Sequence, residues 1–268
     1  MRDISKFSDY VHQSGKRDIA ACSDKEINKY MEVLGAQGKS SATITRTLAS
    51  LRAFYTYLIS IKAIKKNPTK NIKSEKKKKA LPRVLTSKEV DIFLSQPKCD
   101  SFKGYRDKAM LELLYATGIR VSELIALDVK DVNCSLGFAT CGEGESQRVI
   151  PLYPAAIAAI SDYLTSARPM LVASPAEKAL FVNLNGERMT RQGFWKIIKH
   201  YQNTANISTE ITPHVLRHSF AAHLIENGAD IGVVKEIMGH SDISSTMVYA
   251  QLIKSNLKNT YIKFHPRA

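Results

Sequence analysis

The sequence predicts a mainly α-helical protein with a small β-sheet, divided into two domains. Three observations predict it. Apolar residues recur at helical spacing through most of the chain, with capping boxes at the starts of several runs. A single stretch between Val132 and Leu152 switches to strand-like pieces around a glycine-rich turn. A lysine-rich, proline-containing segment interrupts the helical pattern after the first quarter of the chain. With 268 residues, 44% of them hydrophobic, the chain has material for two cores.

Taken in order, Ser23 with Glu26 forms a capping box, and Gly35 and Gly38 punctuate before a second helix. In that helix Ile44, Leu48, Leu51, Tyr55 and Leu58 make one apolar face. Lys39, Thr43, Arg46 and Arg52 are placed on the opposite side, where they either approach phosphates or are simply solvated. Lys65, Lys66, Pro68, Lys70, Lys73 and the run Lys76, Lys77, Lys78, Lys79, followed by Pro82, form an extended basic connector. The expected domains are therefore 1–72 and 82–268, with a linker over 73–81. Thr86 with Glu89 opens the next helix, and another runs from about Gly104 to Thr117, where Gly118 stops it. A short helix over Arg120 to Leu127 follows, then strands over Gly137–Cys141 and Arg148–Leu152, joined through Gly142-Glu143-Gly144-Glu145 as a hairpin. Helical patterns then resume almost to the end.

Charge narrows the function. Lys and Arg number 39 against 25 Asp and Glu, a formal net charge of +14, which favours a polyanionic partner, either nucleic acid or an acidic membrane surface. No apolar run approaches the roughly 18 residues needed to span a bilayer, and the first ten residues lack a leader pattern. Cys22, Cys99, Cys134 and Cys141 are too far apart for a zinc site and read as reduced thiols, so a cytoplasmic location is expected.

Three clusters carry candidate chemistry. Thr212-Pro213 is a strong helix start, and His214, Arg217 and His218 fall on one face of that helix near its anion-favouring end. Leu216, Phe220 and Leu224 supply a different, apolar face. His240 follows a glycine, and Tyr249 stands nine residues later. Arg120 lies just past Gly118, with Glu123 one turn on; that carboxylate either holds the guanidinium or is part of a structural ion pair.

The segments ATGIRVSEL at 116–124, HVLRHSFAAHL at 214–224 and GHSDISSTMVY at 239–249 resemble the three signature segments of the tyrosine recombinases, or phage integrases, in order and approximate separation. The likeness is strongest to the Xer type, and MTRQGFWKIIKHY at 189–201 with the ending HPRA at 265–268 points to one branch of it. The resemblance implies a two-domain clamp around double-stranded DNA, with a helical, SAM-like core-binding domain and a catalytic domain. It implies Tyr249 as nucleophile, Arg120, His214, Arg217 and His240 around the scissile phosphate, and neither metal nor cofactor. It also implies a tetramer on two DNA sites, a second Xer-type recombinase as partner, an FtsK-like translocase, a tail from Gln251 onward that docks on a neighbour, and a bacterial cytoplasm. Arg148 and Arg191 join the basic residues above as candidate DNA contacts.

Two departures from the family pattern stand out. Its hairpin normally carries a lysine in a Gly-Lys-Gly context as general acid, and the matching position here is Glu143; no lysine occurs between Asp131 and Pro169. A carboxylate there repels the phosphate, and loss of a general acid costs roughly 10²- to 10⁴-fold in rate. Three readings stay open: an attenuating change, natural or engineered; another acid, such as Arg148 or an incoming lysine; or a slipped strand alignment. The family also opens with a further helix ahead of the segment matching Arg2–Gln13, so truncation at the N-terminus is expected. Rival readings are a DNA-binding member without chemistry and a type IB topoisomerase-like relaxing enzyme.

Overall fold

The computed structural model describes residues 2–15, 18–72 and 83–239. Two compact units divide it, one over 1–80 and one over 81–268. The first holds α1 (Arg2–Gln13), α2 (Asp24–Ala36) and α3 (Ser41–Ser60). Glu26 accepts from the Ser23 N–H at 2.8 Å, and Ser40 accepts from the Thr43 N–H, so both α2 and α3 start on side chains that satisfy orphan amides. Leu48, Leu51, Tyr55 and Leu58 of α3 bury against Phe7 and Val11 of α1 and Ile27, Tyr30 and Leu34 of α2, with Ile44 half-buried at the edge.

The second unit contains α4 (Ser87–Leu94), α5 (Phe102–Thr117), α6 (Val121–Ala126), β1 (Val132–Asn133), β2 (Phe138–Cys141), β3 (Arg148–Pro151), α7 (Pro154–Asp162), a π-turn (Tyr163–Ala167), α8 (Arg168–Leu171), α9 (Arg191–Thr204), α10 (Pro213–Glu226) and α11 (Ile231–Met238). Helix α5 is buried on nearly all sides, as a central helix must be, and its Met110, Leu111, Leu113 and Leu114 are inaccessible. Its buried charges are paired. Arg106 donates to Asp107, which also accepts from the Tyr201 hydroxyl, and Glu112 accepts from Lys108 and the Tyr153 hydroxyl.

The three strands form an antiparallel sheet in chain order, with Ala139 opposite Ile150 and Cys141 opposite Arg148. The sequence missed β1, a strand of only two residues that carries no alternation to read. Ala139, Cys141 and Ile150 face the core while Val149 is exposed. The turn between β2 and β3 closes through a 3₁₀ turn over Gly144–Ser146. Ahead of α4, Leu85 is pinned to α10: its N–H donates to Ser219 at 2.8 Å and its carbonyl accepts from His223 Nε2 at 2.9 Å, while His223 Nδ1 accepts from the Tyr115 hydroxyl.

Gly118 ends α5 in the left-handed region at φ 57°, and a Cβ there would sit 2.2 Å from the Phe220 ring of α10. Gly118→Ala combines left-handed strain with overpacking, so a loss of about 2–4 kcal/mol is expected in the urea unfolding of this unit. An unchanged midpoint would show that Phe220 yields without cost.

Among the described residues no helix is long and apolar enough to cross a membrane.

Candidate active site

The site forms where the ends of α5 and α11 meet the starts of α6 and α10. Thr212 caps α10 by accepting from the Val215 N–H, and Pro213 occupies its first turn. This places His214 at the exposed start of the helix, while Arg217, one turn on, is only 5% exposed. The Arg217 guanidinium donates to the Gly118 carbonyl through Nη1 and to the Met238 carbonyl through Nη2. It therefore ties the end of α5 to the end of α11. His218 is half-buried; burial, then the neighbouring His214 and Arg217, holds its imidazole below the usual histidine range.

Arg120 follows the Gly118 turn and caps α6. Its N–H donates to Glu123 Oε2 at 2.7 Å, and its own Nη2 reaches the Gly239 carbonyl at 3.3 Å. The side chain is 46% exposed. Glu123 holds the Arg120 backbone more closely than its guanidinium, from which it is 3.7 Å away. The bidentate partner of Glu123 is Arg148, at 3.0 and 3.2 Å. Burial pushes the Glu123 carboxyl up, but the Arg148 hydrogen bonds, the Arg120 N–H and the two positive charges outweigh it and leave the group below the ordinary glutamate value. The site thus carries a fixed negative charge between two guanidiniums.

Arg148, a candidate DNA contact and substitute acid, has its donors taken up by the protein itself. Its side chain is 9% exposed and its nitrogens point at Glu123 and at the Ile237 and Ser146 carbonyls. Nothing in the sequence signalled this, because the pairing joins strand and helices 25 and 89 residues apart. Glu143 is exposed at the start of the hairpin turn. His240 and Tyr249 lie outside the described residues, as do Lys76, Lys77, Lys78 and Lys79 and the tail from Gln251 onward.

The other basic candidates separate. Lys39 is exposed, and the half-buried Thr43 shares its hydroxyl with the Ser40 cap at 2.9 Å. Arg46 is held bidentately by Asp3 of α1 at 3.1 Å, an exposed pair of small energetic weight. Arg52 donates to the Ile72 carbonyl at 3.0 Å. It does not share a face with Thr43: nine residues at 3.6 per turn is about half a turn away. Arg191 is exposed as the first residue of α9.

A buried guanidinium, an exposed guanidinium, an exposed imidazole and a helix start are the kinds of group that stabilise a tetrahedral anion whose charge grows during reaction. Residues 83–256 match the phage integrase family and residues 1–62 match its N-terminal SAM-like domain. The chain belongs to that family, as a Xer-type site-specific tyrosine recombinase with DNA strand transferase activity. Its relatives place it on the branch to which the 189–201 segment points. It is 43% identical over its whole length, and over 91% of the relative's, to the tyrosine recombinase XerD of Staphylococcus epidermidis. It is 45% identical to the XerD of Oceanobacillus iheyensis, again over 100% of this chain and 91% of the other. Among solved structures, the XerH site-specific recombinase bound to a palindromic difH substrate has the same fold, with a TM-score of 0.80 at 22% identity, over 96% of this chain and 76% of that one. A lambda integrase dimer bound to a COC′ core site aligns with a TM-score of 0.69 at 18% identity, over 92% and 86%.

Proposed function

We propose that this recombinase binds double-stranded DNA and cuts and rejoins it through a 3′-phosphotyrosyl intermediate, resolving chromosome dimers at a dif-like site. The single observation that carries the chemistry is the convergence of Arg120 and Arg217 on the carbonyls of Gly239 and Met238, directly before His240, beside the helix start that presents His214. In this reading the Tyr249 oxygen attacks phosphorus and the 5′-oxygen leaves with a proton. The 5′-hydroxyl of a partner strand later attacks the same phosphorus and returns the phenol. The bond energy is conserved in the phosphotyrosyl link, so no nucleotide hydrolysis is needed. Arg120 and Arg217 stabilise the pentavalent phosphorane, with His214 and His240 alongside. Four protomers act on two sites together with a XerC-like recombinase, under an FtsK-like translocase, in a bacterial cytoplasm, as the resemblance to Xer recombinases implies; the XerD relatives and the difH-bound neighbour support the dif-like site. Lys39, Thr43, Arg46, Arg52, Arg191 and the lysines of the connector are the candidates for phosphate contacts.

A nicked, labelled duplex carrying a Xer-type site tests the reading. A covalent adduct on a denaturing gel is the expected result, and tight binding without an adduct would favour a DNA-binding member without chemistry.

The second reading, an attenuated recombinase, draws on Glu143, which is exposed on the hairpin turn where the family resemblance places the general-acid lysine. Glu143→Lys is expected to raise single-turnover cleavage at least about tenfold, the low end of what a general acid contributes. An unchanged rate would remove position 143 from the mechanism.

A further inference from the structure

Three guanidiniums from three elements grip three successive carbonyls: Arg148 takes Ile237, Arg217 takes Met238 and Arg120 takes Gly239. These carbonyls close the C-terminal end of α11, where a helix leaves C=O groups without internal partners and its dipole favours positive charge. Two of the three arginines have a role in the chemistry proposed above. Arg148 has none, yet its side chain is only 9% exposed. Its two terminal nitrogens fork onto Glu123 at 3.0 and 3.2 Å, and its Nε donates to Ile237 at 2.5 Å. The guanidinium also lies against two glycines. A Cβ on Gly239 would meet Nη1 at 2.8 Å and Cζ at 2.9 Å, and one on Gly142, at the base of the hairpin, would meet Nη1 at 3.2 Å.

We propose that Arg148 is a positioning residue that fastens the hairpin, Glu123 and the end of α11 to one another, and thereby holds Ile237, Met238 and Gly239 in register against Arg120 and Arg217. The proposal rests on the recombinase reading for its catalytic part. Only arginine fits the position: its planar fork matches a carboxylate while the third nitrogen is left for a carbonyl, whereas an ammonium is a point donor. Gly239, left-handed at φ 60°, ends α11 so close to the guanidinium that a side chain there would displace it. Because Glu123 also holds the Arg120 N–H, one side chain links both halves of the phosphate pocket.

The test uses Arg148→Gln, Arg148→Lys and the double variant Glu123→Gln/Arg148→Gln, which removes the carboxylate left unpaired and covers the case in which Arg148→Gln does not fold. Hydrogen exchange over 231–239 in the protein alone is expected to quicken at least about tenfold in all three, with the 213–226 helix unaltered. Single-turnover cleavage of a nicked duplex is expected to fall roughly tenfold to a hundredfold, as misplacement of catalytic groups does, while the Kd for a one-site duplex stays within about twofold. Arg148→Lys is expected not to rescue cleavage. Unchanged exchange, or cleavage at the parent rate, would overturn the proposal. A Kd that weakens in step with cleavage would overturn it by making Arg148 a DNA contact. A parent protein without any adduct would overturn the recombinase reading and with it the catalytic part of the proposal; the exchange rates, read without DNA, decide the mechanical part independently.

Discussion

Tyr249→Phe is expected to bind a one-site duplex with the parent affinity and to form no covalent adduct. The phenol oxygen is the atom that takes the phosphoryl group in the proposed chemistry, and phenylalanine keeps the ring while deleting that atom. Removing a nucleophile leaves only what the surrounding donors achieve with water, so the loss is expected to exceed about 10³-fold. Binding is expected to survive because affinity for a duplex resides in many phosphate contacts, each salt-dependent, and a single aromatic hydroxyl adds little to their sum. A gel shift and a denaturing gel on the same samples separate the two effects. An adduct that persists in the variant would move the nucleophile to another residue and undo the assignment.

Arg217 is expected to be the most damaging position among the described residues. Its guanidinium is buried and bridges the carbonyls of Gly118 and Met238, so it braces α5 against α11, and in the proposed chemistry it also serves the phosphate. Arg217→Gln is expected to slow cleavage by about 10²- to 10³-fold, the usual effect of deleting one preorganised donor to a developing oxyanion. It is also expected to destabilise the unit by roughly 2–4 kcal/mol, because two carbonyls lose a charged donor. Arg217→Lys keeps the charge but cannot span both carbonyls, so it is expected to recover less than a tenth of the lost rate, a shortfall of more than about 1.4 kcal/mol. A lysine variant cleaving within about threefold of the parent would show that charge alone is required there, contrary to the geometry.

Much of this architecture was legible before any coordinates, and for local reasons. The starts of α2 and α4 are written in side chains three residues apart that satisfy one another's amides, as with Thr86 and Glu89, and the start of α10 in the Thr212 cap and Pro213. The stop of α5 at Gly118 is written in the one residue type that takes a left-handed turn without strain. His214 and Arg217 were legible as a pair because helical spacing places them one turn apart, although not that one would be exposed and the other buried. The basic face of α3 was misjudged. Arg52 falls half a turn from Thr43, and Arg46 answers to Asp3, 43 residues earlier, in a helix whose packing no local pattern announces.

What the sequence determined by itself is the class of fold, the start and end signals of the helices, the basic balance and the order of the three segments that mark a tyrosine recombinase. These depend on residues close together in the chain, or on composition, and such information is local. What only the tertiary structure decided is what each arginine touches. Arg120, Arg148 and Arg217 are chemically alike and scattered over 98 positions, and in sequence each is a candidate to meet DNA. Folding brings all three to the end of α11 and buries Arg148 against Glu123, where the carboxylate and the helix-end Ile237 carbonyl claim its donors. The assignment follows from burial and hydrogen-bond satisfaction, which are properties of the packed chain rather than of any residue in it.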